Sequence, residues 1–565
     1  MNLQNPDASE EDGGEVEVLR TLPLKSQAPF SFMGALKEIA LYAGIFLSAL
    51  VLFLTIKPLY GFERNGVVAQ AIEAAAIGAC LFVGGFLAFN KKLTAQRLVL
   101  LLFIMGVALR MGYMLYTPAN TRQYDTFTKN FDGHEAYAWT LFSTGKLPAK
   151  NIYQFYHPPL NALLQAGFMH FMSGLTDALT SVFSLGSYFP DKFLAAKPEY
   201  LEAERYFLFQ SCQILSLMYS VAVCRISLKI LKRLNIGGNA YVGLAAFLIF
   251  FPRNIQFAGA LNNDAVSYLC GIAALYFALS WWKGAKDFLN ILFCSLFVGL
   301  GMMAKLSSAT ICLPIAGIFI WEFVRTLIKK DGSLSLQKMI GEYGAFLLLC
   351  IPLGLWFQVY AKIRFDQPFG FVFSNLNQKL YTGNHSFFGR FFIAFDANEY
   401  FGSLYCRPFS FHYNLFNYAL RSAIFGEFSY WQGEGLAVSA VVLAYIACLV
   451  LFVALIRAVY LFFRYDRKKS GEGAMEERRN VFFVFLLVQS QALSEIYFYI
   501  KMPYGCTMDF RYIMPMILGI ALTVWLVNGR LVKEGGKLSL ALSRLTVVSF
   551  GLAMLFSSLF YMVCI

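Results

Sequence analysis

Apolar blocks of membrane-spanning length recur along almost the whole chain and leave little choice of fold. A helix needs about 20 residues to cross a hydrocarbon core of ~30 Å, and most blocks have roughly that length. In lipid every backbone polar group must be satisfied within the segment, so each block is expected to be an α-helix. We predict thirteen spans, near residues 39–56, 67–89, 98–116, 205–230, 238–252, 258–282, 287–304, 306–327, 340–360, 436–462, 480–500, 510–528 and 543–563.

The composition agrees with lipid as the main solvent. Of the 565 residues, 58% are hydrophobic and 14% are charged, whereas a soluble domain carries roughly 25% charged residues. The formal net charge of +13 would suit nucleic acid, but the basic residues lie in short loops between the apolar blocks. That distribution is typical of topology signals. The chain is therefore predicted to be an all-α integral membrane protein that lies in a lipid bilayer and binds no nucleic acid.

The basic residues of the short loops set a sidedness for the spans. With the N-terminus in the cytoplasm, every loop that must then lie inside is basic, and a wrong span count would scramble this pattern. The inner loops carry, among others, Lys91, Arg233, Lys286, Lys330 and Arg479. The N-terminus is therefore predicted to be cytoplasmic.

This topology divides the chain into three parts. Residues 1–38 form an acidic leader that is predicted to be a disordered cytoplasmic tail. Residues 39–97 hold two N-terminal spans, and residues 98–565 hold the other eleven. Two long loops, 117–204 and 361–435, are left on the outer side, and their aromatic residues suit interfacial helices.

Polar and charged residues are predicted to gather at the outer ends of the spans. They are Arg205, Arg253, Asn262, Asn263, Asp264, Lys305, Asp509 and Arg511. Ionisable residues cost free energy in a membrane, so each is a functional hypothesis by default, although any single one could instead cap a helix or snorkel to the surface. Four cations at one level suit an anionic group at the outer leaflet, such as a lipid phosphate.

The first outer loop supplies carboxylates and histidines close to these cations. Asp125, Asp132, His134 and Glu135 lie close together, and the apolar stretch 159–172 follows. That stretch is too short to span and is predicted to be an interfacial helix. The cluster has the residue types of a metal site but lacks the spacing of the HExxH zinc motif, so no metal is predicted and a divalent-metal requirement is left open. A solvated loop cluster is the alternative.

Several motifs together resemble one enzyme family. A loop aspartate, GHEAY and YHPPL are followed by NNDA, AKLSS, FGEF and CTMDFRYIMP. From about residue 98 to the C-terminus, this pattern resembles the bacterial relatives of the protein O-mannosyltransferases, glycosyltransferase family 39, which are membrane enzymes of the GT-C fold. Two features depart from the family: the chain has two additional N-terminal spans, and the family's paired Asp-Glu of the first loop stands here as Tyr124-Asp125.

The resemblance implies a fold, a reaction and a location. It implies a GT-C-like bundle of about thirteen transmembrane helices in a bacterial plasma membrane, with the active site facing outside. Such enzymes take a sugar, here a hexose or a mannose-like sugar, from a polyprenyl-phosphate carrier and pass it to an acceptor hydroxyl with inversion of configuration. No cofactor is expected. The acceptor is left open among protein, lipid and glycan.

The resemblance also assigns roles to single residues. Asp125 is expected to take the proton of the attacking hydroxyl, and Arg205, followed by Lys305 and Arg511, is expected to bind the donor phosphate. Phosphate is a good leaving group, so no second acid is needed, unlike in a glycosidase. The remaining candidates for loop or substrate contacts are Asp132, His134, Glu135, His157, Asn263, Asp264, Glu427 and Asp509.

A flippase for lipid-linked sugars, or another polytopic transporter, is the competing class. Such a protein needs charged groups or broken helices near the membrane midplane. The predicted spans are expected to carry no charges near the midplane, with two exceptions, Glu73 and Glu495. A transferase would leave Glu73 dispensable and Glu495 either packed or near the outer end of its span. Cys406 and Cys506, the only cysteines in outer loops, could pair in an oxidising exterior.

Overall fold

The fold was described from a computed structural model of the chain. It describes residues 32–60, 67–121, 123, 125–183, 194–284, 286–329, 335–372, 380–392, 413–426, 434–466 and 472–563.

Within these ranges the chain is all-α, as predicted, with nineteen α-helices and no strand. Numbered in chain order, they are α1 Phe32–Tyr60, α2 Val67–Phe89, α3 Ala95–Tyr116, α4 His134–Thr144, α5 Leu160–Phe183, α6 Ala203–Ser211, α7 Gln213–Arg233, α8 Gly238–Phe250, α9 Pro252–Gln256, α10 Asn263–Lys283, α11 Phe288–Ala304, α12 Cys312–Lys329, α13 Leu336–Phe365, α14 Phe387–Phe391, α15 Leu415–Phe425, α16 Glu434–Leu461, α17 Glu472–Lys501, α18 Met516–Glu534 and α19 Lys537–Val563.

The chain is a polytopic membrane protein. Eleven helical segments in the described ranges are long and apolar enough to cross a membrane. Helices α8 and α11 are also apolar but have only 13 and 17 residues, below the ~20 residues that a perpendicular crossing needs. Each predicted span thus coincides with a helix, and the two short helices, α8 and α11, correspond to the fifth and seventh predicted spans.

Helices α1 and α5 extend beyond the boundaries predicted for their segments. Helix α1 begins at Phe32, inside the stretch predicted as a disordered leader. Helix α5 has 24 residues and runs to Phe183, well past the apolar stretch 159–172. Ser173 and Asp177 end the apolar stretch but not the helix, because Thr176 and Met172 still face the protein interior.

Helix α10 forms the centre of the bundle. It packs against α7 and α11. Of the residues in its most apolar 18-residue stretch, 83% are buried. The N-terminal helix α2 packs mainly on α3 and exposes large apolar side chains such as Phe82 and Phe86, as a lipid-facing helix does.

One prediction about the spans is wrong. They were expected to carry no deep charge apart from Glu73 and Glu495, yet Arg110 lies within α3 and is 1% exposed. Its Nε atom donates to Ser220 Oγ over 2.8 Å and its Nη2 atom donates to the Ile249 carbonyl oxygen over 2.7 Å. The guanidinium therefore joins α3 to α7 and satisfies a carbonyl at the end of α8, where the helix leaves its last carbonyls without partners.

Basic residues meet carboxylates at the end of the bundle opposite the long loops. Glu322 is 3% exposed; Lys286 Nζ lies 2.9 Å and Arg479 Nη2 3.5 Å from its carboxylate. Trp282 Nε1 donates to the same group over 2.7 Å. These contacts connect α10, α12 and α17 at the end that carries the basic loops.

Candidate active site

The other end of the bundle, the loop end, is formed by residues 117–121, 123, 125–183, 194–202, 251–262, 305–311 and 502–515. Here the main chain folds Asp125 against the start of α4. The amides of His134 and Glu135 donate to the carbonyl oxygens of Asp125 and Thr126 over 3.0 and 3.1 Å. A Cβ atom on Gly133 would lie 2.7 Å from both carbonyl oxygens, so the close approach requires glycine.

The carboxylate of Asp125 is held by one histidine and one amide. Its Oδ2 atom lies 3.4 Å from His134 Nε2 and accepts from Gln154 Nε2 over 3.4 Å, while Oδ1 is buried with no hydrogen-bond partner. Burial raises the pKa of Asp125, but the charge and hydrogen bond of His134, together with the charge of Arg511, outweigh it and hold the pKa below the ordinary value. The side chain is therefore a carboxylate at neutral pH, and one of its oxygens has no hydrogen-bond partner.

His157 lies beside this pair. Its ring stacks on that of His134, with ring centroids 6.0 Å apart and planes 13° apart, and Tyr137 donates from its hydroxyl to the His157 carbonyl over 3.2 Å. Burial, followed by the charges of His134 and Lys305, lowers the pKa of His157 well below its ordinary value. His157 is therefore a neutral imidazole within electrostatic range of Lys305.

Asp132 stabilises the loop itself. Its carboxylate accepts from Thr128 Oγ1 over 2.7 Å, and Thr128 Oγ1 accepts in return from the Asp132 amide over 3.0 Å. Its carbonyl oxygen accepts from the Gln154 amide over 3.1 Å. These local bonds give Asp132 a role in the shape of the loop.

Arg205 and Glu135 form a two-point ion pair between α6 and α4. Nη2 of Arg205 donates to Oε2 of Glu135 over 2.9 Å, and Nε donates to Oε1. Phe131 and Trp139 flank the guanidinium, with their ring centroids 5.0 and 5.1 Å from Arg205 Cζ. The charge of Arg205 is thus already neutralised by a carboxylate that is 2% exposed.

Lys305 pairs with Asp264 where α11 ends and α10 begins. Lys305 Nζ lies 2.5 Å from Asp264 Oδ1 and 4.4 Å from the ring centroid of Tyr512. Asn262 caps α10 by accepting from the Asp264 amide over 3.2 Å, and Asn263, the first residue of the helix, is buried.

Asp509 organises two arginines. Its Oδ1 atom accepts from Arg253 Nη2 over 2.7 Å and from the Arg511 amide over 2.8 Å. The side chain of Arg511 donates to the Tyr512 hydroxyl over 3.1 Å. The short helical turn at Phe510–Ile513 thus begins on the Asp509 carboxylate, which caps it at the Arg511 amide.

Two cavities open at this end, and Arg511 lines both. One is also lined by Gln123, Arg253 and Asn262. The other is also lined by Asp264 and Gln491. Arg511 thus connects the two cavities, and its charge also reaches Asp125.

Sequence reasoning missed two amides that hold the site together. Gln123 Nε2 donates to the Leu261 carbonyl over 3.2 Å, and Gln123 Oε1 accepts from the Leu261 amide over 2.9 Å. This two-way bond fixes the first loop to the turn before α10, and Gln154 holds Asp125. Neither glutamine has a sequence signal, since an amide in a polar loop looks like any solvated residue.

The structure thus groups Asp125, His134 and His157 with Arg511, and pairs each of the cations Arg205, Arg253 and Lys305 with a carboxylate. In the part of the chain that the structure describes, no three His, Cys, Asp or Glu residues are arranged to hold a metal ion. The predicted residues Glu427 and Cys406 lie outside the described residues, so the proposed contact of the first and the pairing of the second with Cys506 stay predictions.

A comparison with models of known protein families found no match to this chain, and a comparison with curated proteins found none either.

Proposed function

We propose that the protein transfers a hexose or mannose-like sugar from a polyprenyl-phosphate carrier to an acceptor hydroxyl, with inversion, at the outer membrane face. The observation that carries the proposal is the state of Asp125. It is a largely buried carboxylate with one oxygen fixed by His134 and Gln154 and the other without a partner. A general base must be ionised and within hydrogen-bond reach of the proton it accepts.

The reaction needs one proton acceptor and one stabilised leaving group. As the acceptor oxygen bonds to the anomeric carbon, its proton passes to Asp125 and the bond from that carbon to the phosphate oxygen breaks. The phosphate leaves with the bonding electron pair and gains negative charge. Fixed cations in a low-dielectric site stabilise such charge by several kcal/mol. We assign Arg511 and Lys305 to the leaving phosphate, because the charges of both act on His157, which lies beside Asp125 and His134.

The geometry changes the order of the predicted phosphate ligands. Arg205 was expected to come first, but both its Nε and Nη2 atoms donate to Glu135. A phosphate would have to replace this carboxylate at both nitrogens, whereas Lys305 contacts Asp264 through one carboxylate oxygen and an ammonium group has three donors. We therefore propose that Arg205 positions α4, and with it His134, rather than binding the donor.

A flippase is the second candidate because one span carries a buried, unpartnered acid. Glu73 lies within α2, is 3% exposed, and neither of its carboxylate oxygens has a hydrogen-bond partner. Ionisable residues inside a membrane typically mark ion or proton pathways. Sugar transfer by the purified chain in detergent separates the two functions, because no transbilayer movement is possible there.

A further inference from the structure

The N-terminal helix α1 packs into the bundle at its loop end. Ala49 and Phe53 are both 0% exposed, and the Phe53 ring centroid lies 5.7 Å from that of Phe207 in α6, the helix that carries Arg205. Helix α2, by contrast, packs mainly on α3. The transfer chemistry above gives α1 no role, although this helix lies directly behind the first outer loop.

Lys57 joins α1 to the last turn of α3. It is 1% exposed, and its Nζ atom donates to the Met114 carbonyl oxygen over 2.9 Å and to Gln213 Oε1 over 2.6 Å. The Met114 carbonyl is one of the last four of α3, which have no partners within the helix. An ammonium group and a neutral amine can both donate these two bonds, so the contact does not depend on the charge of Lys57.

Gln213 extends this contact to two further carbonyl groups. It is the first residue of α7 and is 0% exposed. Its Nε2 atom donates to the Thr117 carbonyl oxygen over 2.9 Å and to the Gly259 carbonyl oxygen over 2.8 Å. Thr117 follows α3 at the start of the first outer loop, and Gly259 lies in the turn before α10. Lys57 occupies the acceptor side of the amide and the two carbonyls occupy its donor side, so one side chain joins three segments.

The turn before α10 in turn holds the first outer loop close to Asp125. Leu261, two residues after Gly259, exchanges two hydrogen bonds with Gln123. The Gln123 side chain also contributes to the lowering of the pKa of Asp125. A continuous series of contacts therefore runs from α1 through this turn to the proposed base.

Resting on the proposed function, we propose that Lys57 is a positioning residue, which fixes the start of the first outer loop against the turn before α10 and thereby sets the place of Asp125. Without the Nζ atom, the Met114 carbonyl and Gln213 Oε1 are buried acceptors that have lost this donor, and a buried acceptor without a donor is costly. The loop and the turn then shift towards other donors. A displacement of about 1 Å at the reacting groups can lower the rate by about 100-fold.

The first test measures sugar transfer by the purified full chain in detergent. Lys57→Met removes the donor and keeps an unbranched side chain. Its kcat should fall by about 10- to 100-fold, whereas KM for polyprenyl-phosphate mannose should stay within about threefold. Gln213→Met should lower kcat by a similar factor. The double variant should lose no more than the more damaging single variant, because both changes break the same connection.

Lys283→Met is the matched control. The Lys283 side chain is 6% exposed, and its Nζ atom contacts Glu476 and Asn480 Oδ1 at the opposite end of the bundle. Its replacement removes a comparable buried donor but should leave kcat within about twofold of the unchanged protein. An equal loss of kcat in Lys283→Met and Lys57→Met would show a general effect of stability and would overturn the proposal.

Amide hydrogen exchange reports on the position of the loop without any substrate. In Lys57→Met, exchange should become faster in residues 125–135 and at Leu261, whose amide donates to Gln123 over 2.9 Å. Exchange in α12 and α13 should stay unchanged, because local openings are confined to the segments whose contacts are lost.

A second variant decides the question if Lys57→Met does not fold, as judged from its unfolding midpoint. Gln213→Glu keeps an acceptor for Lys57 and removes the donors to the Thr117 and Gly259 carbonyl oxygens. It should therefore fold, lower kcat and speed up exchange in the same loop.

The outcomes separate this inference from the function on which it rests. Normal kcat and unchanged loop exchange in a folded Lys57→Met protein would overturn the inference. Faster exchange over the whole chain would overturn it as well, because the lysine would then only stabilise the fold. If the unchanged protein transfers no sugar, the proposed function itself fails, and hydrogen exchange alone decides whether Lys57 fixes the loop.

Discussion

Oδ2 of Asp125 and Nε2 of His134 lie 3.4 Å apart, and the main chain holds the two residues side by side, because the His134 amide also donates to the Asp125 carbonyl oxygen over 3.0 Å. The two segments of main chain therefore cannot separate without breaking this bond. One carboxylate oxygen of Asp125 is thus occupied, and the other is buried without a hydrogen-bond partner.

Replacing Asp125 by asparagine tests its role as the base. Asp125→Asn keeps the size of the side chain and removes the proton acceptor, so turnover of sugar transfer should fall by about 10²–10⁴-fold. Affinity for the bare polyprenyl phosphate should change little. Asp366→Asn is the control, since Asp366 directly follows α13 and its side chain is 90% exposed. Near-normal turnover of Asp125→Asn would mean that another carboxylate of the loop is the base.

The pH dependence of transfer follows from the lowered pKa of Asp125. Burial raises this pKa, and His134 and Arg511 lower it further than burial raises it, to below the ordinary value of 3.8. A group with a depressed folded pKa stays charged above its ordinary pKa and loses its charge only as the pH falls through the lower value. Protonation of Asp125 should therefore not reduce kcat/KM between about pH 7 and about pH 5.

His134→Gln removes the main lowering influence on that pKa. The acid limb of the kcat/KM profile should then move to higher pH. An acid limb near pH 6 in the unchanged protein that moves further up in His134→Gln would show that Asp125 titrates there, against this account.

The pair of Arg205 and Glu135 should contribute to stability rather than to donor binding. Its side chains are only 15% and 2% exposed, and breaking a buried ion pair by removing one partner costs about 3–5 kcal/mol. Arg205→Ala should lower the free energy of unfolding by that amount, and adding Glu135→Ala should recover part of it, because no buried charge is then left alone.

Binding of the bare carrier to the double variant distinguishes the two roles of Arg205. If the arginine only positions α4, the folded Arg205→Ala, Glu135→Ala protein keeps its affinity for polyprenyl phosphate. A tenfold or larger loss of this affinity, about 1.4 kcal/mol, in a protein with a normal unfolding midpoint would show that Arg205 binds the phosphate.

Arg511 and Lys305 should carry the affinity for phosphate. Arg511→Met and Lys305→Met should each weaken binding of the bare polyprenyl phosphate by about 10- to 100-fold, the size expected for a hydrogen bond to a charged group. Arg457→Met is the matched control, because Arg457 also pairs with a carboxylate, Glu534, over 3.0 Å but lies at the opposite end of the bundle. Equal losses in all three variants would indicate a general effect of charge on the micelle, not a phosphate site.

The positions of the spans could be predicted from sequence because one physical requirement dominates them. A segment in lipid must be apolar, helical and about 20 residues long, and these properties are visible in any window of the chain. The same requirement does not reveal a single charged residue within an apolar span. Arg110 lies in an otherwise apolar window, and only the tertiary fold brings Ser220 and the Ile249 carbonyl to it.

The pairing of the site residues could not be predicted in the same way. The presence of cations at the outer helix ends was expected from the spans, but their partners come from distant parts of the chain. Arg253 and Asp509 are 256 residues apart in sequence, and Arg205 and Glu135 are 70 apart. No local pattern encodes such contacts, so the charges looked available for a ligand when most of them are already paired.

Sugar transfer by the purified chain in detergent tests the proposed function most directly. The donor is polyprenyl-phosphate mannose, and a Ser/Thr-rich peptide, a glycolipid and a glycan are offered as acceptors. We predict that the sugar passes to a hydroxyl with inverted anomeric configuration. The Glu73→Gln protein should be as active as the unchanged protein, since an acid in α2 takes no part in the chemistry, and Asp125→Asn should be nearly inactive. A lack of transfer to any acceptor, together with carrier translocation in vesicles that requires Glu73, would contradict the account.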